Sequence, residues 1–165
     1  MSEPTLGNSG ASNPMESGAA ASGATESARA LVVERVFAHP PEKLWRALTE
    51  STLLAQWMMS NDFEPVVGRR FQFRADPAPN WNGVVDCEVL VVEPLRQLSY
   101  NWGVGGVESG LQWAVLWTLT PAEGGTHVRM EQSGFGPDQK AAYTGANYGW
   151  QKFFGNLERV IEEVD

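Results

Sequence analysis

Cysteine, histidine and basic charge are all scarce in this chain of 165 residues. The single cysteine, Cys87, excludes an internal disulfide and fits a reducing, cytoplasmic setting. The two histidines, His39 and His127, have no second His or Cys at metal-ligand spacing, so no metal site is expected and no cofactor is implied. Twelve Lys and Arg stand against 20 Asp and Glu, a formal net charge of −8. With no basic stripe to offset it, such a surface is a poor partner for a nucleic-acid backbone. No apolar run is long enough for a membrane span.

The first 28 residues lack what a folded core needs. Sixteen of them are Ser, Gly or Ala, and the only large apolar side chains are Leu6 and Met15. Such a segment cannot bury enough surface to offset its ordering entropy, so residues 1–28 read as a disordered tail and 29–165 as one domain. The tail has neither a basic start nor a continuous apolar run, so it does not read as a signal peptide. It carries Glu3, Glu16 and Glu26 and no base, which leaves −5 on the domain.

Within that domain the patterning is dense. "LVVERVFAH" from Leu31 reads as a strand, and "PPEKLWRAL" and "ESTLLAQWMM" as two short helices with Leu44, Trp45, Leu48, Leu53, Leu54 and Trp57 at helical spacing. Strands follow at "GRRFQFR" (68–74), "VVDCEVLVVEP" (84–94), "QLSYNW", "LQWAVLWTLTP" and "EGGTHVRMEQSGF". Period-two alternation sends Phe71, Phe73, Val85, Cys87, Val89, Val91, Leu98, Tyr100, Trp102, Trp113, Val115, Trp117, Leu119, Val128, Met130 and Gln132 to one face. The short connections argue for a curved antiparallel meander covered on one face. From about Asp138, a plausible N-cap region, to Val164, a stripe of Tyr143, Asn147, Trp150, Phe154, Leu157, Ile161 and Val164 marks a long closing helix.

"GANYGWQKFFG" (145–155) sets glycines beside the bulkiest side chains of that helix. Gly145 and Gly149 lie four apart on one helix face, each at a cost of about 1 kcal/mol against alanine. Three explanations are open: close approach of another backbone, space for a ligand beside Trp150, or a helix that kinks or begins only near Tyr148. The inward-facing rings pose the parallel question of a solid aromatic core against a ring-lined cavity.

Groups for catalysis are few. Asp86 and Glu88 alternate with the buried face and point to solvent, and Cys87 reads as a small core hydrophobe. His39 and His127 read as surface residues. "GVGGVESG" (103–110) lacks the Lys and strand-to-helix context of a phosphate cradle and reads as a hairpin end. Gln132 stands out as an inward amide that needs a partner: Tyr100, Asn147 or a ligand.

The segments "VVERVFAHPPEKLWRALTESTLLAQWM", "GRRFQFR", "VVEPLRQLSYNW", "VLWTLTPAEGGTHVRMEQSGF" and "GWQKFFGNLERVIEE" together resemble the START-like (helix-grip, SRPBCC) superfamily. Within it they are most similar to homologues of the activator of the 90-kDa heat-shock chaperone ATPase. The resemblance spans about residues 31–164 and implies an α+β helix-grip fold, in which a seven-stranded antiparallel sheet wraps a C-terminal helix with a cavity between them. It also implies a range of activities, from binding of lipids, steroids or polyketides to cyclisation and chaperone contact. The chaperone branch works through an additional N-terminal domain, where this chain has the Ser/Gly/Ala-rich tail.

The expectation is therefore non-catalytic binding of an apolar or aromatic small molecule, with Trp57, Met58, Phe71, Phe73, Tyr100, Trp102, Trp113, Trp117, Gln132, Asn147, Trp150 and Phe154 as the lining. Tyr100 or Gln132 would orient the ligand. A cyclase or hydrolase in the same pocket and a chaperone-binding module are the alternatives.

Overall fold

The computed structural model describes residues 29–105 and 111–165. The tail, residues 1–28, and the hairpin end at 106–110 lie outside the described residues. Strand β1 (Arg29–Phe37) leads into helices α1 (Pro41–Thr49) and α2 (Ser51–Trp57). The meander follows as β2 (Ser60–Asn61), β3 (Arg70–Arg74), β4 (Val84–Glu93), β5 (Gln97–Val104), β6 (Leu111–Ala122) and β7 (Gly125–Phe135), and helix α3 (Lys140–Glu163) closes the chain. All seven strands join one antiparallel sheet in the order β1-β7-β6-β5-β4-β3-β2. This is the helix-grip α+β arrangement that the residue pattern and the resemblance imply.

The long strands turn alternate residues to the core, and on β5 Ser99 and Gly103 of the other face are buried as well. On β6, Trp113, Val115, Trp117 and Leu119 are buried, and on β5 Leu98, Tyr100 and Trp102. Two irregularities break the alternation. Between Val89 and Val91 the β4–β5 register slips by one, so Leu90 is left out of the pairing and Val91 is only half-buried, against the expected inward position. Between β1 and β7 the register slips at Gly134, whose φ of 103° favours glycine. The extra residue turns Phe135 inward, where strict alternation from Gln132 would have placed it outside.

Pro41 supplies the fixed φ at the start of α1, and Leu44, Ala47 and Leu48 face the core. Trp57 of α2 donates its indole N–H to the Ala47 carbonyl at 2.9 Å, which locks α2 to α1. Helix α3 runs unbroken through Gly145 and Gly149, so of the three explanations for the glycines a start near Tyr148 does not hold. Its N-cap is Gln139 rather than Asp138, and no side chain caps it. The Gln139 side-chain Oε1 instead accepts from the Gly136 backbone N–H at 2.9 Å and from the Trp113 indole at 3.3 Å. Trp150, Phe154, Leu157 and Ile161 of α3 are buried.

Candidate ligand-binding cavity

The interior has two parts. Trp57, Tyr100, Phe73, Trp117 and Phe154 are each at most 1% exposed and fill a solid core. The Trp117 ring stacks on Phe154 at 5.7 Å and meets Trp57 edge-on at 5.6 Å. Phe63, Phe71 and Phe73 surround the Tyr100 ring at 5.3–6.2 Å, and the Tyr100 hydroxyl accepts the Trp117 indole N–H at 2.9 Å. Burial raises the Tyr100 phenol well above its ordinary pKa.

Beside this core lies a cavity of about 840 Å³, within the usual range for small-molecule sites. The sheet supplies Val85, Trp102, Trp113, Gln132 and Phe135 to its wall. Met58 and Met59 enter from the end of α2, Trp81 from the β3–β4 connection, and α3 covers it with Ala142, Gly145, Ala146, Gly149, Trp150 and Phe153. Trp102 and Trp150, with ring centres 5.2 Å apart, sit on the border, where Trp102 also touches Phe73 and Trp150 touches Trp117. Both pictures of the aromatic interior therefore apply, each to its own half.

The glycines belong to the cavity half. A Cβ placed on Gly145 or Gly149 would meet nothing within 4 Å, so neither residue serves a close approach of backbones. Together with Ala142 and Ala146 they leave the underside of α3 low, and open space remains where larger side chains would fill it.

Of the twelve residues singled out from the sequence, Met58, Trp102, Trp113, Gln132 and Trp150 line this cavity. Trp57, Phe73, Tyr100, Trp117 and Phe154 do not, because ring-on-ring packing encloses them. Phe71 packs with Phe63 at 4.9 Å and lies away from the cavity. Asn147 is exposed, one residue and about 100° around the helix from Ala146, on the side turned from the sheet. The additional lining residues carried weak signals. Trp81 sits in an aperiodic connection, Phe135 follows a bulge, and Ala142 and Ala146 are too small to mark a stripe.

Gln132 is a buried polar side chain of the lining, 2% exposed. Its Oε1 accepts the Trp150 indole N–H at 2.7 Å. An indole nitrogen only donates, so the amide must turn its oxygen to Trp150. The Gln132 amide NH₂ is left without a partner among the described residues.

The remaining candidates lie elsewhere. Cys87 is buried, and burial pushes its thiol well above the ordinary value. His39 Nε2 pairs with Glu162 Oε2 at 3.0 Å and His127 Nε2 with Glu34 Oε1 at 2.9 Å, both outside the cavity. A polar groove of about 610 Å³ on the outer face contains Asp62, Gln72, Asp86, Glu88 and Asn101. Its polar groups largely satisfy one another: Gln72 Nε2 donates to Asp86 Oδ1 at 2.7 Å, and the Glu88 backbone N–H donates to Asn101 Oδ1 at 2.7 Å.

The model of the Activator of Hsp90 ATPase homolog 1-like protein family matches residues 38–162. The chain belongs to this family. Protein MLL2253 from Mesorhizobium loti is 52% identical, with 83% of this chain and 99% of that one covered and a TM-score of 0.75. DynU16, from the dynemicin biosynthetic locus, is 26% identical with a TM-score of 0.69, covering 81% of this chain and 47% of that one. The Aha1 dimer from Colwellia psychrerythraea shares the fold at 22% identity and a TM-score of 0.70, over 81% of this chain and 96% of that one. Among curated proteins none matches this chain. No helix among the described residues is long and apolar enough to cross a membrane.

Proposed function

We propose that this protein binds an apolar or aromatic small molecule, without transforming it, in the cavity between α3 and the sheet. The observation that carries this is the Gln132 amide. Leaving a buried donor unpaired costs about 1–3 kcal/mol, and a ligand oxygen at that position would remove the cost. Trp102, Trp113, Phe135, Trp150 and Phe153 offer rigid faces for the rest of the ligand. The role of orienting group falls to Gln132 rather than Tyr100, whose hydroxyl is enclosed with Trp117.

A cyclase or hydrolase in the same pocket would need an acid and a base beside the substrate. Among the described residues the lining holds no Asp, Glu, His or Cys, and its one ionisable side chain there, Lys152, is exposed. Contact with a chaperone, which the family description raises, would use a surface outside the cavity and is compatible with ligand binding. The buried thiol of Cys87 supports a reducing, cytoplasmic setting.

The test is titration with the neutral apolar dye N-phenyl-1-naphthylamine against wild type and Gly149→Leu. The leucine extends its side chain into the cavity from a position where a Cβ meets nothing within 4 Å. Dye affinity should fall at least about tenfold, consistent with overfilling a well-formed site, while the fold survives. Equal affinity in the two folded proteins would reject the proposal.

A further inference from the structure

Among the described residues the free polar side-chain groups of the cavity are donors. The Gln132 NH₂ has no partner among the described residues, and neither has the indole N–H of Trp102. The other indoles of the lining are engaged, Trp81 with the Val84 carbonyl, Trp113 with Gln139 and Trp150 with Gln132. Asn156 is also engaged, since its Nδ2 donates to the Trp57 carbonyl at 3.3 Å.

The third free donor is charged. Lys152 lines the cavity, is exposed, and has no ion pair among the described residues. Its helical neighbours at three and four residues are Tyr148, Gly149, Gly155 and Asn156, none of them acidic. Among the described residues the lining has no Asp or Glu. Among the described residues, the one charge on the lining is therefore the cation of Lys152, in a protein of net charge −8.

Resting on the proposal that the cavity binds a small molecule, we infer that its ligand is an apolar acid. The anionic head pairs with Lys152 at the mouth, a carbonyl or hydroxyl oxygen accepts from Gln132 and Trp102 inside, and the apolar body lies between. An amine would face three donors and a like charge.

Two dyes with the same ring system separate the charge from the body: 8-anilinonaphthalene-1-sulfonate and the neutral N-phenyl-1-naphthylamine. Both are titrated against wild type, Lys152→Met, Lys152→Glu and Gly149→Leu. Methionine is a good helix former, so the first variant keeps α3 intact. The sulfonate dye should lose about threefold in affinity with Lys152→Met and about tenfold with Lys152→Glu, as for a partly exposed ion pair removed and then reversed. The neutral dye should stay within about twofold, since no apolar contact is lost. Parallel changes in both dyes, or no change of the sulfonate dye in Lys152→Glu, would overturn the inference. If the neutral dye responds to Gly149→Leu but the sulfonate dye ignores Lys152, only the acid is wrong. If the neutral dye ignores Gly149→Leu, the cavity proposal falls and the acid with it.

Discussion

The indole of Trp150 and the side-chain amide of Gln132 meet at 2.7 Å and tie α3 to β7 on the border between solid core and cavity. Each holds the other's orientation: the indole can only donate, so it fixes which end of the amide faces it. Removing either partner strands the other in a buried site. Gln132→Leu strands the indole N–H, at about 1–3 kcal/mol, but also removes the unpaired Gln132 NH₂, so its net cost should fall below that figure. In a cycle with Trp150→Phe the coupling should be about 0.5–1.5 kcal/mol. Urea denaturation of the four proteins measures it, and a coupling near zero would mean that the bond adds nothing to the fold.

Gly145 and Gly149 pay helix propensity for cavity volume. An alanine at either position meets no atom within 4 Å, so nothing opposes the gain in propensity. Gly145→Ala and Gly149→Ala should each stabilise the protein by up to about 1 kcal/mol. The thermal midpoint of each variant, set against wild type, checks this; a loss of stability would show that the cavity is closed in solution.

The strands were legible because each carries a wet and a dry face at period two, as Trp113, Val115, Trp117 and Leu119 do. The cavity was legible only in part. Periodicity reports which residues leave water, and Trp117 and Trp102 leave it equally, yet one is packed on all sides and the other borders open space. That difference depends on what α3 presents opposite them, and α3 presents Ala142, Ala146 and Gly149, residues with no apolar signature. Asn147 misled because it fits the three- and four-residue spacing of the stripe while lying on its solvent margin. Phe135 was hidden by Gly134, since one extra residue in a strand reverses every side chain after it.

Gly134 thus controls a wall of the cavity. An added Cβ has space there, its nearest neighbour being the Trp113 ring at 3.7 Å, but the φ of 103° is unfavourable for any other residue. Gly134→Ala should cost about 1–3 kcal/mol from backbone strain alone. Because the bulge is what turns Phe135 inward, affinity for the neutral dye should fall as well. Denaturation and titration on one sample test both, and an undiminished stability would reject the strained bulge.

Tyr100 and Cys87 make stability depend on alkaline pH in a predictable direction. Burial raises the thiol of Cys87 above its ordinary value of 9.0, with smaller contributions from Asp86 and Asp62. Burial likewise raises the Tyr100 phenol above 10.0, opposed in part by the Trp117 N–H. Above about pH 9 the unfolded chain releases the thiol proton while the folded chain keeps it, so the unfolded state binds fewer protons and stability falls as pH rises. The contribution is fully present below pH 9 and is lost at about 1.4 kcal/mol per pH unit for each group whose unfolded value has been passed. Cys87→Ala removes the earlier of the two titrations. The stability gap between wild type and Cys87→Ala should therefore shift by about 1.4 kcal/mol in favour of the variant between pH 8 and pH 10. Urea denaturation at the two pH values measures the shift, and an unchanged gap would mean that water reaches Cys87 behind β4.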